Sequence, residues 1–192
     1  DRFKNFEIID INMGCPVRKI YANGEGSKLL EDSELAGEIV KATIEGSKKP
    51  VTVKMRSGIN KEVLAYDLAR SVIKAGCSAI TIHPRTRNQM YQGLADHTVS
   101  KEIKRLSNVP VIVSGDITSF ESFERIKDDT KCDAFMIGRA SIGNPNIFSI
   151  LTGTKPKFSK FQCIVKHVEI LKEYLPEHVI SNLMKINLCH YI

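Results

Sequence analysis

Val51-Thr52-Val53-Lys54-Met55-Arg56 is the stretch that decides the architecture. Side chains alternate across a strand, so Val51, Val53 and Met55 share one face and Thr52, Lys54 and Arg56 the other. The same split recurs in Ala79 to Arg85, where Ile80 and Ile82 oppose Thr81, His83 and Arg85. It recurs again near the start, where Ile9, Ile11 and Met13 oppose Asp10 and Asn12. An open doubly wound sheet carries helices on both faces, and its strands are apolar on both sides. A barrel has one face under its helices and one facing an interior whose upper layer can be polar and line a ligand. The alternation therefore selects a (β/α)₈ barrel, an α/β fold of the TIM type.

Outward from that strand, apolar runs at Glu7–Met13, Pro50–Met55, Ala79–His83, Pro110–Ser114 and Ala134–Gly138 read as five strands. Between them lie stretches of helical period. Glu34–Ser47 puts Leu35, Ile39, Val40 and Ile44 on one face, and Lys61–Ala75 does the same with Leu64, Leu68 and Val72, stopped by Gly76. Val99–Leu106 reads as a short helix, and Thr118 with Glu121 as a capping box opening a helix through Ile126. The alternation βαβαβαβαβ means a parallel sheet. A closed barrel needs eight strands, so the five are expected to be strands 4–8, with about three βα units preceding Asp1. The partial barrel is expected over 1–151, a polar linker over 152–160, and the start of a helical domain over 161–192.

With 192 residues the chain has the length of one domain with a small appendage, enough to bury a core without staples. No apolar run approaches the ~20 residues of a membrane span. The five cysteines are scattered and never form Cys-x-x-Cys, which argues against a disulfide framework or zinc site and for a reducing cytoplasm. Cys77 and Cys132, each preceding an apolar strand, read as small buried residues. Cys15 differs: in Asp10-Ile11-Asn12-Met13-Gly14-Cys15-Pro16 it sits where a strand breaks into a loop. The net charge of +6 is compatible with a polyanionic partner.

Barrel active sites form at the carboxyl ends of the strands. Here every strand ends in notable residues: Asn12 and Cys15; Lys54 and Arg56; His83, Arg85 and Arg87; Ser114, Gly115 and Asp116; Gly138 and Arg139. The glycines of the last two strand ends can bring backbone N–H groups against an anion, and Arg139 can add a bidentate charge to a phosphate.

At this point the residues resemble a family, the flavin-dependent tRNA dihydrouridine synthases, most closely their bacterial members. The motifs are Asp10–Pro16, Gly24-Glu25-Gly26-Ser27, Val53-Lys54-Met55-Arg56, His83-Pro84-Arg85-Thr86-Arg87 with Tyr91, and Gly93-Leu94-Ala95-Asp96. They continue with Ser114-Gly115-Asp116-Ile117, Met136-Ile137-Gly138-Arg139-Ala140, Gly143-Asn144-Pro145 and Met184-Lys185. The resemblance implies reduction of the C5–C6 double bond of particular uridines in tRNA, with FMN as hydride carrier and NADPH as reductant. It implies that Cys15 is the general acid, a role that suits an ordinary thiol, mostly protonated at neutral pH. Cofactor residues would be Lys54, His83, Ser114, Gly115, Asp116, Gly138 and Arg139. Asn12 would meet the uracil edge or serve as a satisfied turn residue. Arg18, Lys19, Arg56, Arg85 and Arg87 would ring the mouth and meet tRNA phosphates. The target base would be extruded from the folded tRNA. A cytoplasmic, monomeric protein without metal or membrane partner is expected.

Two departures from the family pattern stand out. Ser114 occupies a position where many members have Asn, and the family's first three strands, with a flavin-contacting glutamine, have no counterpart here. Two rival readings are a flavin-dependent barrel acting on a small pyrimidine-like metabolite and an RNA-binding scaffold without catalysis.

Overall fold

A computed structural model describes residues 6–191. The outermost ends of the expected barrel and helical regions, residues 1–5 and 192, lie outside the described residues. The chain divides into two compact units, one of Asp1–Asp116 with Ile126–Met136, the other of Ile117–Arg125 with Ile137–Ile192.

The first unit holds a parallel sheet of β1 (Ile9–Met13), β2 (Val51–Gly58), β3 (Ala79–Thr86), β4 (Val111–Ser114) and β5 (Ala134–Met136). Their spatial order is their sequence order. A doubly wound sheet reverses direction at a switch point; an unreversed order is how a barrel wall is laid down. The fold is therefore α/β, with five of the eight strands that close a (β/α)₈ barrel.

Helices separate the strands: α1 (Arg18–Ala22) and α2 (Ser33–Ser47) after β1, α3 (Ala65–Lys74) after β2, α4 (His97–Leu106) after β3 and α5 (Phe120–Thr130) after β4. The expected alternation is borne out. Val51, Val53, Met55, Ile80, Ile82, Val111 and Val113 are fully buried, as are Leu68, Val72 and Ile103 from the helices. On the opposite face the register builds layers: Asp10 beside Thr52; Asn12 beside Lys54 beside Thr81; Arg56 beside His83. Thr52 Oγ1 donates to Asp10 Oδ1 at 2.7 Å. Cys77 and Cys132 are buried, and burial pushes the Cys77 thiol up to about 11.

Element ends differ from expectation for local reasons. β2 and β3 each run three residues further, to Gly58 and Thr86, and a register shift between Arg56 and Gly58 lets them pair again at the tip. α3 starts at Ala65 rather than Lys61, because residues 60–64 fold back over the strand end. Leu64 N–H donates to Ser57 O at 2.9 Å, and a Cβ at Gly58 would strike Glu62 O. α5 is opened one residue later than Thr118: Ser119 Oγ accepts from Ser122 N–H, and Ser122 Oγ accepts from Ser119 N–H. α4 is capped by Asp96, which accepts from Thr98 N–H at 3.1 Å.

The second unit carries a 3₁₀ turn at Arg139–Ser141, then α6 (Ile147–Leu151), α7 (Lys160–Tyr174) and α8 (Glu177–Tyr191). A capping box of Ser159 and Gln162 starts α7. Cys163, Ile180, Met184 and Tyr191 are buried between elements of this unit, and Tyr191 Oη lies 3.3 Å from His167 Nδ1. Among the described residues no helix is long and apolar enough to cross a membrane.

Candidate active site at the strand ends

Cys15 stands just past the end of β1, and its backbone is held on both sides. Asn12 Oδ1 accepts from Gly14 N–H at 3.0 Å and Cys15 N–H at 2.9 Å, an Asx turn that bends the strand end. Cys15 O accepts from Ser27 N–H at 3.1 Å. Gly26, at φ +61°, lies directly against the cysteine: an added Cβ would come within 2.9 Å of Cys15 Cβ and Cys15 O. Asn12 is thus a turn residue through Oδ1, and two N–H donors on that oxygen leave its Nδ2 as the free end of the amide.

One pocket of ≈ 340 Å³ gathers the ends of β1, β2 and β3. Cys15, Asn12, Lys54, Arg56, His83 and Tyr91 are among its walls. Lys54 is half-buried, and among the described residues no carboxylate forms an ion pair with it. Burial lowers its pKa, Arg56 lowers it further, and Asp10 opposes the shift. His83 is 8% exposed. Burial, with Arg56, Lys54 and Arg85 around it, drives its pKa down to about 3 despite Asp116.

Arg56 and Arg85, expected at the mouth for phosphates, are instead 3% and 2% exposed and committed to protein acceptors. Arg56 donates from Nε to Gly14 O at 3.1 Å and from Nη1 to Thr86 O and Met90 O, both at 2.8 Å. It also lies 5.6 Å from the Tyr91 ring centre. Arg85 donates from Nη2 to Asp116 Oδ1 at 2.6 Å and Gly93 O at 2.7 Å, and from Nε to Gln92 O at 3.3 Å. The physical reason is one of acceptors: the 86–93 loop turns its carbonyls inward, and a buried guanidinium has five donors to spend on them.

Asp116, expected to hold the cofactor, has both carboxylate oxygens engaged, Oδ1 by Arg85 and Oδ2 by Ala95 N–H at 2.7 Å. Burial pushes its pKa up, but the Ala95 N–H and Arg85 outweigh it and hold the carboxyl below its usual range. Ser114 and Gly115 are half-buried at the end of β4. Arg18 and Lys19 are exposed on α1. Arg87 lies over the Tyr21 ring at 3.9 Å and tethers the β3 loop to α1. Gly138 and Arg139 are exposed in the second unit, and a Cβ at Gly138 would meet nothing within 4 Å. The site residues that residue-by-residue reading passed over are Gly26 and Tyr91; both sit inside the quoted motifs, and that was their only signal in the sequence.

Comparison with known proteins follows the same residues. The family model for dihydrouridine synthase (Dus) matches residues 3–192. The tRNA-dihydrouridine synthase B of Pasteurella multocida is 36% identical over 178 residues, covering 88% of this chain and 54% of that protein. The tRNA-dihydrouridine synthase B of Pseudomonas putida is 41% identical over 145 residues, covering 74% of this chain and 42% of that one. The chain thus spans about half the length of the curated relatives it matches. Among solved structures, dihydrodipicolinate synthase from Agrobacterium tumefaciens superimposes with a TM-score of 0.50 at 16% identity, over 81% of this chain and 50% of that one; that likeness concerns the fold alone. A model match along almost the entire chain, on a barrel wall whose strand ends gather those motifs, makes the chain a member of the dihydrouridine synthase (Dus) family.

Proposed function

We propose that the chain reduces uridines in tRNA to 5,6-dihydrouridine, with FMN as hydride carrier, NADPH as reductant and Cys15 as general acid. The observation that carries this reading is the convergence of Cys15 and the unpaired Lys54 on one pocket at the strand ends.

The pocket fits a flavin by the chemistry of its donors. Lys54 offers a cation with no carboxylate partner among the described residues, and a neutral His83 stands beside it. An electron-rich ring system with carbonyl oxygens and an imine nitrogen is the complement of that set. The chemistry that FMN would supply there, once reduced, is a hydride for C6 of the uracil. Lys54 and His83 would hold its ring, and Ser114 and Gly115 are available at the end of β4. For Gly138 and Arg139 the assignment to the cofactor's phosphate rests on the resemblance. Asp116 supports this site through Arg85.

Cys15 holds its proton at Sγ and delivers it to C5, so that hydride at C6 and proton at C5 together saturate the double bond. Asn12 fixes the cysteine through its Oδ1 and lines the same pocket, which suits its Nδ2 to donate to a uracil carbonyl. Arg18 and Lys19 are exposed beside Cys15 and suit phosphates of the tRNA carrying the extruded base. The helices over 161–192 are proposed as the start of the tRNA-binding domain. Supporting this, Lys166 and Lys172 are exposed on α7 and Lys185 on α8, and Lys157 and Lys166 each lie 5.6 Å from the Phe158 ring centre.

The test incubates unmodified tRNA with the protein, FMN and NADPH and measures dihydrouridine by mass spectrometry. Cys15→Ala is expected to keep FMN binding, read by flavin fluorescence, and to lose dihydrouridine formation by at least about 100-fold. Full activity in Cys15→Ala would remove the general-acid assignment. Reduction of free uridine as fast as tRNA would transfer the reading to a small pyrimidine-like substrate.

A further inference from the structure

We infer that Arg85, braced by Asp116, is a positioning residue that fixes His83 in the tautomer with its proton on Nδ1, so that the pocket meets an N–H donor there. Arg85 Nη1 lies 3.2 Å from His83 Nε2, with both residues buried. A guanidinium has no acceptor, so in this pair the imidazole nitrogen must accept. An accepting Nε2 leaves the ring proton on Nδ1.

Arg85 cannot yield that position cheaply. Three of its four remaining N–H donors are tied to Gln92 O, Gly93 O and Asp116 Oδ1, and its side chain is 3% exposed. Asp116 is tied in turn by Ala95 N–H. The imidazole is also packed from the side: a Cβ at Gly115, at φ +109°, would come within 2.9 Å of His83 Cδ2 and 3.2 Å of Nε2. A flipped ring would present a C–H to the guanidinium in place of the acceptor. The opposite ring edge is the open one. Nδ1 has no hydrogen bond among the described residues, and His83 lines the pocket. The groups around the ring are Arg85, Arg56, Lys54, Asp116 and the tilted ring of Tyr91 at 6.3 Å. Three cations against one carboxylate, together with burial, keep the imidazole neutral, in keeping with its pKa of about 3.

Two consequences follow. A ligand atom that meets His83 is an acceptor, such as a ring imine nitrogen or a carbonyl oxygen. His83 also carries no second proton to give, so within the reaction proposed above it is not the proton donor, in keeping with that role for Cys15. The tautomer stands on geometry and is independent of that reaction; the consequence for proton delivery rests on it.

The experiment is a long-range ¹H–¹⁵N correlation spectrum of the chain labelled with ¹⁵N-histidine, with His83→Gln used to identify the signal among the five histidines. The expected result is a protonated Nδ1 and an unprotonated Nε2, both unchanged as the pH passes through the ordinary histidine range near 6.5. In Arg85→Met the signal is expected to become a tautomer mixture that titrates toward that range. In Asp116→Asn the change is expected in the same direction and smaller. A protonated Nε2 in the wild type, titration near 6.5, or an unaltered signal in a folded Arg85→Met would overturn the assignment. The wild-type spectrum decides the matter even where Arg85→Met does not fold, and activity of Cys15→Ala does not bear on it.

Discussion

Cys15 owes its position to neighbours that have no chemistry of their own. Gly26 adopts a left-handed φ of +61° and leaves no room for a Cβ against the cysteine. Gly26→Ala is therefore expected to push Cys15 aside by a fraction of an ångström or more, lowering dihydrouridine formation by roughly 100-fold while leaving the circular dichroism spectrum unchanged. Unaltered turnover would show that the close contact is idle. His83 makes a second residue-scale prediction, about pH. Its pKa is about 3 when folded, against 6.5 in the unfolded chain. Between those values the unfolded state binds a proton that the folded state refuses, so stability falls as the pH drops through that window. At pH 5 the loss from this one group is about 2 kcal/mol relative to neutral pH. Urea midpoints at pH 7 and pH 5 should show that loss in the wild type and a smaller one in His83→Gln. Equal losses in both would place the acid sensitivity elsewhere.

At the scale of elements, the sheet rests on a row of apolar side chains beneath the helices. Ile82 sits centrally in that row, in register with Met55 on one side and Val113 on the other, and is fully buried. Ile82→Ala is expected to cost about 2–5 kcal/mol, measured as a lower urea midpoint with an unchanged slope. A cost below about 1 kcal/mol would mean that the helices close over the gap. That row was legible in the sequence because period-two alternation is local: Val51, Val53 and Met55 announce their face without knowledge of anything else. The strand ends were less legible. Arg56 and Arg85, where a strand meets a loop, read as mouth charges for tRNA phosphates. They are buried because Gly14, Thr86, Met90, Gln92 and Gly93 bring backbone carbonyls to them. No pattern in the sequence announces where a loop carbonyl will point. Asn12 was half legible for the same reason: its place was clear, but the division of its amide between turn and pocket is set by two N–H groups that only the folded loop supplies.

The whole molecule carries +6, and the withdrawal of Arg56 and Arg85 into the interior changes where that charge can act. A polyanion meets exposed side chains, and near the pocket those are Arg18 and Lys19, on the short helix that follows Cys15. Each phosphate neutralised by such a side chain releases counterions and steepens the fall of affinity with salt, by about 0.9 per contact in the logarithmic slope for duplex regions. Binding of tRNA should therefore weaken strongly as salt is raised. The double substitution Arg18→Ala with Lys19→Ala should flatten the slope by about 2 while leaving flavin binding as it was. Arg85→Met makes the informative contrast. Its guanidinium is paired with Asp116 and closed from solvent, so its loss should disturb stability and the pocket but leave the salt slope nearly intact. Fluorescence anisotropy of labelled tRNA across a salt series measures all three slopes. A flattened slope in Arg85→Met, with none in the α1 double variant, would return the buried arginine to the RNA interface and remove α1 from it.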